Sequence, residues 1–359
     1  MAHAVDEHFV DEVLRWQAAP ELASARADPM ASQVGPDRLL AVLESQIESR
    51  HLDFAARWLH GEGEGFYTIG SAGHEANALV AAALRPTDPA LLHYRSGGFY
   101  AARARQVPGT SPLEDVQHSV AASVHDPISR GRHKVFGRRE LSIIPQTSTI
   151  GSHLPRATGL AFSLPRAHQL GAPAPWPRDS LVVASFGDAS VNHSTTQGAM
   201  NAAAFVARNH LPIPLLLVCE DNGIGISTPT PTGWVEAALS RFPGISYHRA
   251  DGAAPAETLL VLDRVAHKVR TSRRPAVVHL RTVRFMGHAG SDAELGYRTP
   301  AAIAADHDRD PLLAMAATLV ATGQLKPIEV LQRYEDTRHQ VMESAAAVRG
   351  TERLSTADA

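Results

Sequence analysis

The sequence predicts an α/β fold: a doubly wound, mainly parallel sheet flanked by helices, with helical N- and C-terminal extensions. Three observations predict it. The runs "SLVVASF" (180–186) and "IPLLLVCE" (213–220) are almost continuously apolar and of strand length, as strands covered on both faces are. Between them "STTQGAMNAAAFVAR" (194–208) reads as a helix of small residues, completing a βαβ unit. "GISYHRADG" and "PAVVHLRTV" then supply two further strands around the helix "PAETLLVLDRVAHKVR", which continues the strand–helix alternation of a doubly wound sheet.

The other elements follow in chain order. Residues 1–35 are Ala-rich and acidic and end in "ADPMASQVGPD", which predicts a short helix and a linker. From Pro36 onward, Leu39, Leu40, Leu43, Ile47 and Leu52 recur at helical spacing, with Gly61 as the stop. "GHEANALVAAAL" predicts another helix, "ALLHY" a short strand ending at Tyr94-Arg95, and "SRGRHKVFGRRE" a basic loop. "GSHLPRATGLAFSL" is a Gly/Ala helix suited to close packing. After Pro311 the chain becomes helical and ends in a frayed "STADA". The expected organisation is an N-terminal arm and linker (1–35), an α/β domain (36–310) and a C-terminal helical segment and tail (311–359).

Composition narrows the function. With 359 residues, 44% hydrophobic and 20% charged, the chain can bury a large core. A net charge of −3 and scattered Lys and Arg residues leave no footprint for nucleic acid. The single Cys219 excludes an internal disulfide and a cysteine-based metal site and fits a reducing compartment. The first residues carry acids where a signal peptide carries bases, and no apolar run reaches the length of a membrane span, so a cytoplasmic location is expected.

Ligands of an open parallel sheet bind beyond the carboxyl ends of its strands. Asp188 follows the first buried strand and "EDNGIGIST" the second, so both arrive on one edge. Asp188, the amide oxygen of Asn222 and a carbonyl of the Gly223-Ile224-Gly225 turn form an oxygen set suited to Mg²⁺ carrying a diphosphate. The spacing equally allows Asp188 to cap the following helix and "DNG" to be an ordinary turn.

A Gly-Asp after a strand, an Ala-rich helix, a second strand and Asn222-Gly223 together resemble the thiamine diphosphate fingerprint. More specifically, "FYTIGSAGHEA", "HYRSGGF", "GRHKVFG", "SHLPRATGLA", "FGDAS", "CEDNGIGISTPT", "ADG" and "RFMGHAGSDAELGYR" occur in the order of one family. That family is the alpha subunit of the decarboxylating component of 2-oxo acid dehydrogenase complexes, and "GRH" and "SHLP" are closer to its branched-chain type. The resemblance spans residues 36–310 and implies thiamine diphosphate and Mg²⁺. Cofactor contacts would come from Tyr94, Arg95, Ser152, Leu154, Gly187, Asp188, Ala189, Ser190, Asn222, Ile224 and His288, with Asp188, Asn222 and Ile224 as the metal ligands.

His288 matches the family's active-site histidine on a mobile loop. Arg284, Ser291, Asp292, Tyr297 and Arg298 match the polar residues that support this loop, and His93 is placed to touch substrate. The implied reaction is decarboxylation of a 2-oxo acid, with the acyl group passing to lipoyl-lysine on an acyltransferase.

The sequence departs from the family in several places. Ala189 stands where the family has Gly, His193-Ser194 where it often has Glu-Gly, and Ala289 where mitochondrial relatives carry a phosphorylated serine. The stretch "ARNHLPIP" lengthens the interval between Asp188 and Asn222. No second α/β domain is present to supply the glutamate that activates the cofactor, which implies a beta subunit in an α2β2 assembly or a fused beta-like domain. Two other readings stand beside this one: a pyruvate or acetoin dehydrogenase alpha subunit, and a non-catalytic assembly or regulatory subunit that keeps the fold.

Overall fold

The structure, a computed structural model, describes residues 3–355. Most of the expected tail "STADA" lies outside the described residues. In chain order the elements are α1 (Ala4–Ala18), α2 (Pro20–Arg26), α3 (Pro36–Gly61), α4 (Asn77–Ala82), β1 (Ala90–Leu91), α5 (Gly97–Arg105) and α6 (Pro112–Val120). Next come α7 (Leu154–Gln169), β2 (Val182–Gly187), α8 (Ser194–Arg208), β3 (Leu215–Asp221), β4 (Ile224–Gly225), β5 (Thr228–Pro229), α9 (Trp234–Ser240) and β6 (Ser246–Asp251). The chain closes with α10 (Pro255–Ser272), β7 (Ala276–Arg281), α11 (Pro300–His307), α12 (Pro311–Ala321) and α13 (Pro327–Ala347).

The central sheet has five parallel strands in the order β1-β2-β3-β7-β6. The chain advances from β1 to β3, jumps to the far edge at β6 and returns to β7, so the winding reverses between β3 and β7. Crevices beside such a reversal are where open α/β sheets bind ligands. Alternation along each strand divides the core into two layers. Val183, Leu216, Val218, Val278 and Leu280 face the layer built with α3, α5, α10 and α12, whereas Val182, Ala184, Phe186, Leu217, Cys219 and Val277 face α7, α8 and α9. Both faces are covered, which is why β2 and β3 read as unbroken apolar runs.

The N-terminal segment departs from the single short helix expected. It forms α1, α2 and a 3₁₀ turn at Ala31–Gln33, and Phe9, Val13, Trp16 and Ala23 are buried in the same core as α3 and α13. Burial of Phe9 alone is worth about 1.5–3 kcal/mol, which binds this segment to the rest of the fold. Polar contacts add to it: Tyr334 donates to Asp6 at 2.8 Å, and Arg338 grips both oxygens of the same carboxylate at 2.7 and 2.9 Å.

The helix expected at "GHEANALVAAAL" begins only at Asn77, because the residues before it fold as turns. These turns direct Glu75 inward, where Arg50 of α3 bonds to it and also to Asp310 at 2.9 and 3.2 Å, all three fully or almost fully buried. α5, which opens on two glycines, is a helix packed on nearly every side. Added Cβ atoms at Gly97 and Gly98 would come within 2.6 Å of Ser49 Oγ and 2.8 Å of Asn77 Oδ1.

Candidate active site

Gly187 and Glu220 are register partners in β2 and β3, so Asp188 and Asn222 leave adjacent strands at the same edge of the sheet. Asp188 opens a 3₁₀ turn (Asp188–Asn192) and is 2% exposed. Burial raises its carboxyl pKa above the usual value, and the nearby Asp221 charge raises it further, opposed by a hydrogen bond from the Thr230 hydroxyl to Oδ2. Among the described residues no lysine or arginine bridges it. The capping role open to Asp188 in the sequence falls instead to His193, whose Nδ1 accepts the Thr195 N–H at the start of α8 (3.2 Å). "DNG" is indeed a turn: Gly223 N–H donates to Asp221 Oδ1 (2.9 Å), and Ile224 N–H to Asn222 Oδ1 (3.1 Å). The turn leads into the β4–β5 hairpin, whose Ile226 holds φ 55°, a left-handed conformation uncommon for a β-branched residue.

The hairpin lies against the turn after β2. A Cβ built on Gly225 would fall 2.7 Å from the Ala189 methyl. Ala189 itself is not among the residues with positive φ, so its methyl strains no left-handed backbone and is directed at a neighbour that has no side chain.

Beneath the strand ends lies a polar floor in which His74, Asn77 and Glu220, to which the sequence reading assigned no role, join the expected Asn222 and His93. His74 Nδ1 is 2.8 Å from Glu220 Oε2, and His74 Nε2 is 2.8 Å from Asn222 Nδ2. Asn77 Nδ2 donates to the same Glu220 oxygen at 3.2 Å. His93 joins the group, with ligating atoms of His74, His93 and Glu220 all within 4.8 Å of one another. Burial, followed by the neighbouring His74 and Arg95, drives the His93 pKa well down, so the ring is neutral, and its Nδ1 has no hydrogen-bond partner among the described residues. Its Nε2 would lie 3.4 Å from a Cβ on Gly187, and its ring packs at a tilt of 36° against Tyr94 with centroids 4.0 Å apart. The quoted motif "GHEA" carried the only sequence signal for His74, and Glu220 lies inside the quoted "CEDNGIGISTPT" without having been assigned a role.

The loop after β7 carries His288 to the same edge. Arg95 Nη2 lies 3.1 Å from His288 Nδ1 and 3.1 Å from the His288 carbonyl, while its Nη1 donates to Gly70 O at 2.6 Å. An arginine only donates, so His288 Nδ1 is the acceptor and its proton sits on Nε2. Burial, with Arg95 and Arg284 next, lowers the His288 pKa to about 4. Asp292 accepts the His288 N–H (2.6 Å) and the Tyr297 hydroxyl. Arg284 in turn donates to Tyr297 Oη and to the Ile226 carbonyl, each at 2.7 Å. Arg298 bonds to Glu294 (2.9 Å) and Asp306 (2.6 Å) and ties the end of the loop to α11.

The remaining expected residues are less engaged. Ser152 is exposed and donates to Thr149 O at 3.0 Å. The Leu154 side chain is fully buried in the core, which leaves only its backbone for a ligand. Ser190 is buried and its carbonyl accepts the His193 N–H at 3.0 Å, whereas Ser291 stands exposed. A cavity of about 490 Å³ opens beside Asn222, Thr230 and His279. A larger one, about 820 Å³, lies between Ile144, Pro145 and Trp176 and holds none of these residues.

The profile of the family described as "Dehydrogenase E1 component" matches residues 44–355. The mitochondrial 2-oxoisovalerate dehydrogenase subunit alpha of Caenorhabditis elegans is 24% identical over 286 residues, 77% of this chain and 61% of that protein. Its counterpart in Mus musculus is 26% identical over 268 residues, 73% of this chain and 52% of that protein. The pyruvate dehydrogenase E1 component subunit alpha of Zymomonas mobilis is 27% identical over 284 residues, 76% and 73% of the two chains. Matched to the first three relatives, the chain spans 46 to 61% of their length.

Proposed function

The chain belongs to the dehydrogenase E1 component family, and from that premise we propose that it is the alpha subunit, or alpha-like half, of a 2-oxo acid dehydrogenase of branched-chain type. One observation carries the reading: Asp188 is a buried carboxylate at a strand end, repelled by Asp221 and bridged by no described basic side chain. A cation is the natural counter-charge. The residues present fit Mg²⁺ and a diphosphate. The donors at the edge are oxygens, His93 keeps a buried nitrogen without a partner among the described residues, and the Ala189 methyl is turned toward Gly225.

Asp188, the Asn222 side-chain oxygen and the Ile224 carbonyl would hold the metal. Tyr94 and Arg95 would grip the diphosphate, Arg95 with the N–H donors that Gly70 and His288 leave over. Thiamine diphosphate, when bound, supplies a thiazolium ring that accepts the electron pair released as carbon dioxide leaves. His288, neutral with its proton on Nε2, is set to donate a hydrogen bond to the substrate oxo group. The loop network through Asp292, Tyr297 and Arg284 orients it. A beta subunit or fused beta-like half would complete the site, and a lipoyl acyltransferase would receive the acyl group. The single buried Cys219 supports a reducing, cytoplasmic setting. A pyruvate-type substrate is a second reading, supported by the Zymomonas relative, which is covered over more of its length than the branched-chain relatives.

Calorimetry with thiamine diphosphate and Mg²⁺, in the presence of the beta partner, tests the proposal. Saturable binding that Asp188→Ala abolishes is expected; absence of binding, or binding indifferent to that change, overturns it. His288→Ala is expected to leave cofactor affinity almost intact while impairing acyl transfer to the lipoyl group. Decarboxylation rates with branched-chain oxo acids and with pyruvate separate the two substrates.

A further inference from the structure

We infer that Glu220 and His74 are positioning residues for Asn222: a relay of hydrogen bonds from the floor of the site fixes which end of the Asn222 amide faces the metal. The inference rests on the metal site proposed above and deepens it. Every donor and acceptor in the relay is forced by a backbone N–H at each end. At the inner end, Phe99 N–H donates to Asn77 Oδ1 (2.7 Å), which turns the Asn77 NH₂ toward Glu220 Oε2 (3.2 Å) and the Arg95 carbonyl (3.0 Å). The Ser96 hydroxyl donates to the other Glu220 oxygen at 3.4 Å. Glu220 is thereby surrounded by donors, and a carboxylate accepts from all of them.

His74 Nδ1, 2.8 Å from the same Oε2, must therefore carry the proton. Its Nε2 is left as an acceptor, and the group 2.8 Å away is Asn222 Nδ2. At the outer end Ile224 N–H donates to Asn222 Oδ1 at 3.1 Å, which fixes the amide in the same sense. The two ends agree, so the Asn222 oxygen has one lone pair left, on the side away from His74. A flipped amide would present NH₂ to the metal and leave two N–H groups, of Ile224 and Asn222, with no acceptor in the relay. The carboxylate–histidine pair thus acts on a ligand one bond further out, in the way that carboxylates orient metal-bound histidines.

The test measures metal affinity and the His74 tautomer rather than turnover. Mn²⁺ is titrated as a paramagnetic substitute for Mg²⁺ into the full chain with its beta partner and thiamine diphosphate, and free Mn²⁺ is read by electron paramagnetic resonance. His74→Leu is expected to weaken Mn²⁺ binding by roughly 10–100-fold, the usual effect of losing such a supporting residue. His74→Gln is expected to restore it, because the glutamine amide can donate to Glu220 and accept from Asn222. Glu220→Gln is also expected to retain binding, since its carbonyl can take the His74 proton while its NH₂ faces Ser96; loss of binding there would instead make Glu220 a charge or a metal ligand and overturn the relay.

Nitrogen-15 spectra of the imidazole should show the His74 proton on Nδ1. A proton on Nε2, or a His74→Leu variant that binds Mn²⁺ like the wild type, overturns the inference alone. A wild type that binds no Mn²⁺ with thiamine diphosphate, or an Asp188→Ala variant that still binds it, overturns the site itself.

Discussion

The Ala189 methyl occupies the space that a side chain on Gly225 would need, with only 2.7 Å between the one Cβ and the position of the other. The substitution in "GDA" is therefore answered across the site, in the hairpin after β3. The methyl fills the space between two backbone segments, where the partner residue has no side chain.

Gly225→Ala should accordingly overpack this contact and destabilise the chain by about 1–3 kcal/mol. The exchange Ala189→Gly with Gly225→Ala should recover most of that loss, because it moves the methyl from one side of the contact to the other. Urea denaturation of the two single variants and the double variant measures the coupling. Additive losses would show that the two residues do not share the space.

Asp188→Asn should raise the stability of the ligand-free chain, by about the 0.5–2 kcal/mol that single stabilising substitutions commonly give. Burial and Asp221 both oppose a charge at this position, and the amide oxygen can still accept from Thr230. The same variant should lose the rise in melting temperature expected for the wild type with Mg²⁺ and thiamine diphosphate. Thermal melts with and without the ligands read both effects, and a less stable ligand-free variant would count against a carboxylate held for a cation.

His51 gives the acid branch of the stability curve a definite sign. It is buried between Phe54 and Tyr334, neither ring nitrogen has a hydrogen-bond partner among the described residues, and burial, followed by the Arg338 charge, lowers its pKa from 6.5 to about 3. Between those two values the unfolded chain takes up a proton that the folded chain refuses, so stability falls as pH falls, by up to about 1.4 kcal/mol per pH unit. His51→Phe removes this one proton. Its stability relative to wild type should grow by about 2 kcal/mol between pH 7 and pH 5, and a pH-independent difference in denaturation free energy would refute the assignment.

Arg50→Met should cost about 3–5 kcal/mol, because it leaves the Glu75 and Asp310 carboxylates buried without their shared counter-charge. Arg85→Met, which breaks the Arg85–Asp179 pair on the surface, should change stability by less than about 1 kcal/mol. Denaturant midpoints of the two variants make the comparison.

The strands β2 and β3, the helix α8 between them and the strand-end acid Asp188 were legible because each is written in a contiguous stretch. Burial on both faces demands an unbroken apolar run, and a helix packed closely on a sheet demands small residues. α5, α6, α9 and α11 were not legible in the same way. They are short, and α5 opens on two glycines required by tight contacts with Ser49, Ser71 and Asn77, so packing rather than propensity makes it a helix.

By itself the sequence determined the α/β class and the sheet edge at which Asp188 and Asn222 emerge, and it singled out Arg95 and His288 through ordered motifs. Only the tertiary structure decided how these groups are held. Glu220 and His74 stand 146 positions apart, and Arg95 and His288 193 apart. Tautomers, amide orientations and pKa values are set by neighbours a few ångströms away in space, and a one-dimensional pattern carries no record of which distant residue that neighbour will be.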